Sequence, residues 1–127
     1  MIFDASSIWL AVSKEKFEIL KNKFSVELVK YEIGNVLWKK VVLEKIYSLE
    51  EALFLADFLQ RILNKMNLLT PEIKEVLEIA VKLKINFYDA SYLALAKKLK
   101  MPLITEDRLL KEKSKRIVKV YSLREII

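Results

Sequence analysis

The alternation of short apolar segments with longer segments of helical periodicity constrains this chain most. The segments "MIFD", "PLIT" and "RIVKVY" are short and apolar on both faces, as strands of a buried parallel sheet are. Between them lie stretches of helical spacing, from about Val26 to Glu44 and again in "YDASYLALAKKLK". This alternation favours an α/β fold, in which a short, mainly parallel central sheet is covered by helices.

Local signals predict where several helices begin. Ser48–Glu51, "SLEE", has the residues of a capping box and predicts a helix to about Met66. Thr70 as N-cap and Pro71 at the first helical position predict a second helix. That second helix is expected to bury Ile73, Val76, Leu77 and Ala80. The segments "ASSIWLAV" and "EDRLLKEK" also indicate helices, "SLREII" a final helical turn, and "KFSVEL" at most a short strand.

Composition limits both the compartment and the chemistry. The chain has no cysteine and no histidine, which excludes disulfides, thiolate nucleophiles, the usual zinc sites and histidine acid–base catalysis. Its 127 residues suit a single domain spanning residues 1–127, and its net charge of +6 favours polyanions, although a lysine-rich surface is also simply a soluble one. No apolar run reaches ~18 residues and the N-terminus has no basic leader, so we expect a cytoplasmic protein without a membrane segment.

Acidic residues follow two of the predicted strands. Asp4 ends "MIFD", and Asp107 comes two residues after Thr105, at the end of "PLIT". Sites in parallel α/β folds form beyond the carboxyl ends of the strands, so these carboxylates converge if the two strands are neighbours. The alternative is that Asp4 and Asp107 only cap the helices that follow them.

Two further acids lie on the apolar faces of helices. Glu32 has apolar helical neighbours, among them Leu28 and Ile33, and a carboxylate there costs several kcal/mol unless it is paired, protonated or bound to a cation. Asp89 is in line with the apolar residues of its helix, and its alternative role is that of an N-cap. Gly34, the only glycine, is two residues beyond Glu32 and is expected to allow close packing.

Four segments of the chain therefore supply carboxylates that can share one pocket. Four like charges close together repel one another and raise one another's pKa values, a conflict that a divalent cation removes. Ligands that are all oxygen suit Mg²⁺ or Mn²⁺. The sequence thus predicts a metal site formed by Asp4, Glu32, Asp89 and Asp107.

The ordered set of these segments resembles the PIN domain family, especially its VapC-type ribonuclease toxins. "MIFDASSIWL" is similar to the family's first strand with its acid, "YEIGNVLWK" to the helix of the second acid, and "NFYDASYLALAKKLKMPLITEDRLL" to the remainder. The resemblance implies a three-layer α/β/α sandwich and a Mg²⁺- or Mn²⁺-dependent endoribonuclease. Asp4, Asp89 and Asp107 would be metal ligands, Glu32 a ligand or the residue that orients water, and Ser6 and Thr105 would hold the carboxylates by hydrogen bonds. It also implies a homodimer, an RNA substrate and a cognate antitoxin that offers arginine or lysine to the acidic pocket.

Other functions stay open at this point. A housekeeping PIN nuclease in RNA processing and a non-catalytic module that binds RNA or protein are the main alternatives. A haloacid-dehalogenase-type phosphatase would need a second aspartate where this chain has Ser6, and a receiver domain would need paired acids near the first strand. Trp38 and Phe54 are either partner contacts or core residues. Two basic clusters are candidate phosphate contacts or solvated surface: Lys97, Lys98 and Lys100, and Lys111, Lys113, Lys115 and Arg116.

Overall fold

The sheet of the protein is entirely parallel. The computed structural model describes residues 1–127. Its five strands are β1 (Ile2–Phe3), β2 (Phe24–Val26), β3 (Asn67–Leu69), β4 (Leu103–Ile104) and β5 (Val120–Tyr121). Their order across the sheet is β3-β2-β1-β4-β5, and every neighbouring pair is parallel. The expected short parallel sheet is therefore confirmed.

Helices cover both faces of this sheet. They are α1 (Ala5–Ser13), α2 (Val29–Val42), α3 (Leu49–Asn64), α4 (Ile73–Leu83), α5 (Phe87–Leu99) and α6 (Arg108–Ser114), with 3₁₀ turns at Phe17–Leu20 and Leu123–Glu125. Crossovers between parallel strands are right-handed, so α1 to α3, which lead outward from β1 to β3, lie on one face. The connections that lead back to β4 and β5 then lie on the other face, which makes the three-layer α/β/α sandwich that the sequence predicts.

The order in which the chain adds strands reverses at β1 and β4. From β1 the chain proceeds to β2 and β3 on one side, and it then returns to β4 on the other side of β1. These two strands are neighbours, with Ile2 opposite Leu103 and Phe3 opposite Ile104. Their connecting helices leave toward opposite faces, so a crevice opens beyond the carboxyl ends of the two strands. Asp4 and the segment that begins at Thr105 lie at this crevice.

The strands β1 and β4 are buried on both faces, and serine side chains as well as backbone pairs link β1 to its two neighbours. All four residues of β1 and β4 are fully buried. The Ser7 hydroxyl, at the start of α1, donates to the Ile104 carbonyl at 2.9 Å. The Ser25 hydroxyl donates to the Phe3 carbonyl at 2.6 Å. These bonds satisfy buried polar groups and hold the strand ends in place.

The structure corrects the predicted start of α4. The helix begins at Ile73, and its N-cap is Glu72 rather than Thr70. The reason is the strand β3, which the sequence analysis missed. Leu68 and Leu69 pair with β2, and this pairing keeps the chain extended just before Thr70. By contrast, the capping box of Ser48 and Glu51 is present and α3 begins at Leu49, as predicted.

The buried face of α4 is also rotated from the expected one. Val76 and Ala80 are buried as predicted, but Ile73 and Leu77 are exposed. Ile79 takes part in the core in their place. The helix is apolar on two sides, so apolar spacing alone did not determine which side packs on α5. The exposed apolar stripe of α4 consists of Ile73, Leu77 and Val81.

The helices α4 and α5 end without a glycine. Lys84 and Lys100 end α4 and α5 in the left-handed conformation, with φ near +57° and +56°. Gly34 is instead within α2, and a Cβ added there would meet no atom within 4 Å. The expectation that Gly34 allows close packing is therefore wrong. None of the helices is both long enough and apolar enough to cross a membrane.

Replacing Gly34 with alanine should stabilise the protein. The added methyl group has open space, and alanine is favoured over glycine in a helix interior by about 1 kcal/mol. We expect the free energy of unfolding to rise by up to that amount in urea denaturation, with the m-value unchanged. A loss of stability would mean that this position does not tolerate a side chain.

Candidate active site

Asp4 is the most buried acid of the protein, and its carboxylate accepts three hydrogen bonds. It is only 5% exposed. Its Oδ1 accepts from the Ser6 hydroxyl at 2.7 Å and from the Ser7 backbone N–H at 2.9 Å. Its Oδ2 accepts from the Thr105 hydroxyl. Asp4 thus caps α1 and at the same time holds its carboxylate at the crevice between β1 and β4.

The segment after β4 is ordered by the same two hydroxyl groups. The backbone N–H of Glu106 donates to Ser6 Oγ at 3.0 Å, and that of Asp107 donates to Thr105 Oγ1 at 3.1 Å. Asp107 then caps α6 by accepting from the Leu110 N–H at 2.9 Å. Ser6 and Thr105 therefore link Asp4 to the backbone that carries Asp107.

Glu32 reaches the crevice from α2 and meets a residue that the sequence analysis did not single out. The hydroxyl of Tyr92, on α5, donates to Glu32 Oε1. Tyr92 is almost completely buried, whereas Glu32 is half-buried. A tyrosine on an apolar helix face has the sequence pattern of a core residue, and only the fold brings its hydroxyl to Glu32. The bond gives the half-buried carboxylate a fixed partner.

Asp89 is not a helix cap. The N-cap of α5 is Asn86, whose side-chain oxygen accepts from the Asp89 backbone N–H at 2.8 Å. The capping role considered for Asp89 is therefore wrong, because an equally suitable capping residue lies three positions earlier. The Asp89 carboxylate is half-buried at the first turn of the helix, where the helix dipole favours negative charge.

One cleft of about 1020 Å³ collects the predicted acids. Its lining includes Asp4, Glu32, Asp89 and Asp107, together with Ser6 and Glu106. In their present rotamers, no three of these carboxylates form a group that could hold a metal ion. The fold thus brings the four acids to one cleft, and their roles as metal ligands and catalytic residues stay predictions.

The pKa values of three acids are raised in this cleft. Burial raises the pKa of Asp4, against the effect of its hydrogen bonds from Thr105 and the serines. Burial also raises the pKa of Glu32, opposed by the Tyr92 hydrogen bond and reinforced by the charges of Asp89 and Asp4. For Asp89, burial and then the charge of Asp107 raise the pKa. The pKa of the Tyr92 hydroxyl is raised as well, so it stays a donor.

None of the residues of the two basic clusters lines the cleft. Lys111 pairs with Glu125, and Lys115 with Glu112. The lysines that do line the cleft are two others from α2, Lys39 and Lys40, which the sequence analysis did not single out. Lys39 and Lys40 could have been predicted from the sequence, because they follow Glu32 by about two turns of the same helix.

Trp38 and Phe54 are not core residues. Trp38 is 51% exposed on α2, and Phe54 is 80% exposed on α3. Other large apolar residues on and between these two helices are also exposed: Val42, Leu43, Ile46, Leu49 and Leu53. We refer to these seven residues as the α2–α3 apolar face. Exposed apolar surface of this extent is typical of a contact with another molecule.

The fold and the cleft together define a class of protein. Its members are parallel α/β proteins with carboxylates at the crevice where the strand order reverses. Within this class, the sequence model of the PIN domain matches residues 4–116 of the chain. The protein belongs to the PIN domain family. The strand β5 and the final 3₁₀ turn follow the matched region, and β5 pairs with β4 in the same sheet.

Similar proteins come from Pyrobaculum aerophilum. The chain is 33% identical to Exonuclease VapC9 over 125 residues, which cover 96% of this chain and 91% of that protein. It is 29% identical to Ribonuclease VapC3, with 89% of this chain and 93% of the relative covered. The crystal structure of PAE2754 superposes with a TM-score of 0.81 at 26% identity, over 98% of this chain and 91% of that one. The recognition of a VapC-type PIN domain from the sequence is confirmed.

Removing the buried charge of Asp4 should alter how the stability of the metal-free protein depends on pH. An acid whose pKa is raised in the folded state gives its full stabilisation below its unfolded pKa, here near 3.8, and loses it as the pH rises through the folded value. Asp4→Asn keeps a good capping residue and has no such proton to lose. The stability of the variant relative to wild type should therefore increase as the pH rises above about 4.

Urea unfolding in EDTA between about pH 4 and pH 8 measures this difference. Asp57→Asn is the control, because Asp57 is an exposed acid that pairs with Arg61 at 2.7 Å outside the cleft. If the stability of Asp4→Asn relative to wild type instead falls with rising pH, the folded protein stabilises the ionised form of the Asp4 carboxyl group, contrary to the direction that its burial indicates.

Proposed function

We propose that this protein is a divalent-metal-dependent endoribonuclease and the toxin of a toxin–antitoxin pair, with residues 1–127 as a single PIN domain. The observation that carries the proposal is the convergence of Asp4, Glu32, Asp89 and Asp107 on one cleft from four separate segments. Family membership supports nuclease activity, and the names of the relatives support ribonuclease activity and the VapC type.

Helix capping explains only part of this arrangement. Asp4 and Asp107 do cap helices, as a non-catalytic module would also require. Asp89 and Glu32 have no capping function, and both have raised pKa values in the cleft. Charges kept at such positions lower the stability of the metal-free fold, which favours a function that uses them over a purely structural role.

The donor set of the cleft fits a hard divalent cation. All its acidic groups offer oxygen, and the chain has no thiolate or imidazole that would favour zinc. Asp4 is fixed by three hydrogen bonds, whereas Asp89 is held only through its backbone. No three carboxylates are grouped in the present rotamers, so a metal ion held by three of them would need a side chain without a hydrogen bond, such as that of Asp89, to rotate.

The reaction is hydrolysis of an RNA phosphodiester: water forms the new bond to phosphorus, and the bond to one ester oxygen breaks. A bound metal ion supplies a water of lowered pKa and stabilises charge on the phosphate oxygens. Asp4, Asp89 and Asp107 would hold the metal. Glu32, steadied by Tyr92, would ligate it or orient the water. Ser6 and Thr105 keep Asp4 in place, so little reorganisation is needed during the reaction.

Experiments distinguish the proposed function from two alternatives, an exonuclease and a housekeeping PIN nuclease. One relative is named an exonuclease and the other a ribonuclease, so the position of the cut is a property to be measured. A circular RNA has no ends and is cleaved only by an endonuclease. A housekeeping PIN nuclease in RNA processing would use the same cleft chemistry, but it would have no antitoxin and would not arrest growth when expressed.

Two surfaces are the proposed contacts with protein partners. The α2–α3 apolar face is the proposed contact with the antitoxin, whose arginine or lysine would enter the acidic cleft beside it. The exposed apolar stripe of α4 is the proposed homodimer contact. Glu72 and Glu75 lie near its N-terminal end, and Lys82 and Lys84 near its C-terminal end. An antiparallel pairing of two copies therefore places opposite charges together.

The cleft acids should be required for metal-dependent cleavage of RNA. In Mg²⁺ or Mn²⁺ we expect the protein to cut both linear and circular RNA, and EDTA to stop the reaction. Asp4→Asn and Asp89→Asn should each lower the rate by more than about 100-fold, because each removes a charge that holds the metal. Asp57→Asn, at the exposed pair with Arg61, should cleave like wild type.

Melting curves show whether a lost activity means a lost fold. Metal at ~100 times its Kd stabilises the folded state by about 2.7 kcal/mol, so Mn²⁺ should raise the Tm of wild type and of Asp57→Asn. Asp4→Asn should remain folded and should lose most of this rise. Full metal-dependent cleavage by both Asp4→Asn and Asp89→Asn would overturn the proposed site.

The partner proposals are tested by one purification. The chain co-expressed with its neighbouring gene product should purify as a complex with two copies of each, as measured by light scattering. Leu77→Glu on the exposed apolar stripe should reduce the complex to one copy of each, and Phe54→Glu on the α2–α3 apolar face should release the partner. An active monomer that purifies alone would contradict both assignments.

A further inference from the structure

The acidic cleft has a rim of aromatic side chains that the proposed chemistry does not use. Tyr31 immediately precedes Glu32 on α2, and Tyr88 immediately precedes Asp89 on α5. Each helix that brings a carboxylate to the cleft therefore brings a tyrosine one position earlier. Both tyrosines line the same cleft as the acids, together with Trp9 of α1.

These two tyrosines are exposed rather than packed. Tyr31 is 78% exposed and Tyr88 is 59% exposed. Successive helical residues point about 100° apart, so a tyrosine next to an inward carboxylate is directed toward the mouth of the cleft. The two tyrosines come from helices on opposite faces of the sheet, α2 and α5, and both line the cleft that holds the acids.

Charge in the cleft restricts where a polynucleotide backbone can lie. Without a bound metal ion the acids at the base repel phosphate, and the two lysines that line the cleft are both on α2. Lys40 is already engaged, with its ammonium 3.2 Å from a Glu44 oxygen and 5.9 Å from the centre of the Trp9 ring. Lys39 is exposed and has no carboxylate partner, so it is the cation that a phosphate group at the mouth can reach.

We propose that Tyr31 and Tyr88 bind a single-stranded substrate by stacking on two of its bases beside the acids, while Lys39 contacts its backbone. This inference rests on the proposed function and specifies how the same cleft selects its substrate. Bases in a duplex are stacked on each other and leave no free face for a tyrosine, whereas bases in a single strand do. The cleft should therefore select unpaired segments without reading their sequence closely.

Binding is measured by fluorescence anisotropy with a labelled single-stranded RNA of about 12 nucleotides, with Ca²⁺ in place of Mg²⁺ to limit cleavage. Two further probes of equal length are a duplex RNA and a strand without bases. Wild type should bind the single strand more tightly than either of the others. Tyr31→Ala and Tyr88→Ala should each weaken single-strand binding by about 5- to 150-fold, the range of one base–aromatic stack.

Two kinds of control separate the ring from other effects. Tyr31→Phe and Tyr88→Phe keep the ring and should bind within about twofold of wild type, since stacking does not need the hydroxyl. Phe87→Ala removes an exposed aromatic ring on α5 that does not line the cleft and should leave binding unchanged. On the strand without bases, both alanine variants should bind like wild type, because no stacking partner is present.

Several results would overturn the proposal. These are unchanged single-strand affinity in both alanine variants, equal binding of wild type to the three probes, no binding of wild type, or losses in the phenylalanine variants as large as those in alanine. If Tyr31→Ala keeps its RNA affinity but loses a co-purifying partner, Tyr31 contacts protein and the proposal fails. If wild type cleaves RNA while the tyrosine variants bind normally, only the stacking inference is wrong; if wild type cleaves no RNA, the proposed function itself fails.

Discussion

The burial of the Asp4 carboxylate is the interaction on which the rest of the site depends. A carboxylate that is 5% exposed costs several kcal/mol unless it is well supplied with donors, and here Ser6, Ser7 and Thr105 supply them. The donors come from the start of α1 and the end of β4, so this one group joins the ends of the two central strands. The same side chain therefore caps α1 and accepts a hydrogen bond from the Thr105 hydroxyl at the end of β4.

Features written in neighbouring residues could be predicted from the sequence. An apolar run that ends in an acid identified Asp4 and Asp107, and an acid within an apolar stripe identified Glu32. The alternation of strands and helices predicted the layered parallel fold. Where two local signals fit the same structural role, the sequence did not determine which of them the structure uses. Asn86 and Asp89 both suit a helix cap, and α4 is apolar on two sides, so only the packing of α4 on α5 determines which side is buried.

Features that depend on distant parts of the chain could not be predicted. The Tyr92 hydroxyl meets Glu32 across 60 positions in sequence, and nothing around Tyr92 distinguishes it from a core aromatic. The strand β3 has only three residues, and it forms because β2 offers it backbone partners. The exposure of Trp38 and Phe54 likewise follows from the tertiary arrangement, since their helical spacing alone is compatible with burial.

The shortness of the central strands has a consequence for how the protein can evolve. β1 and β4 have two residues each, about 7 Å of chain, so the hydrophobic centre and the acidic cleft are separated by a single peptide unit at Phe3–Asp4 and at Ile104–Thr105. A change of volume at Phe3 or Ile104 displaces the carboxylate or the threonine directly. Mutations in the interior are therefore expected to be strongly epistatic with those in the cleft, and the two regions should drift together rather than independently.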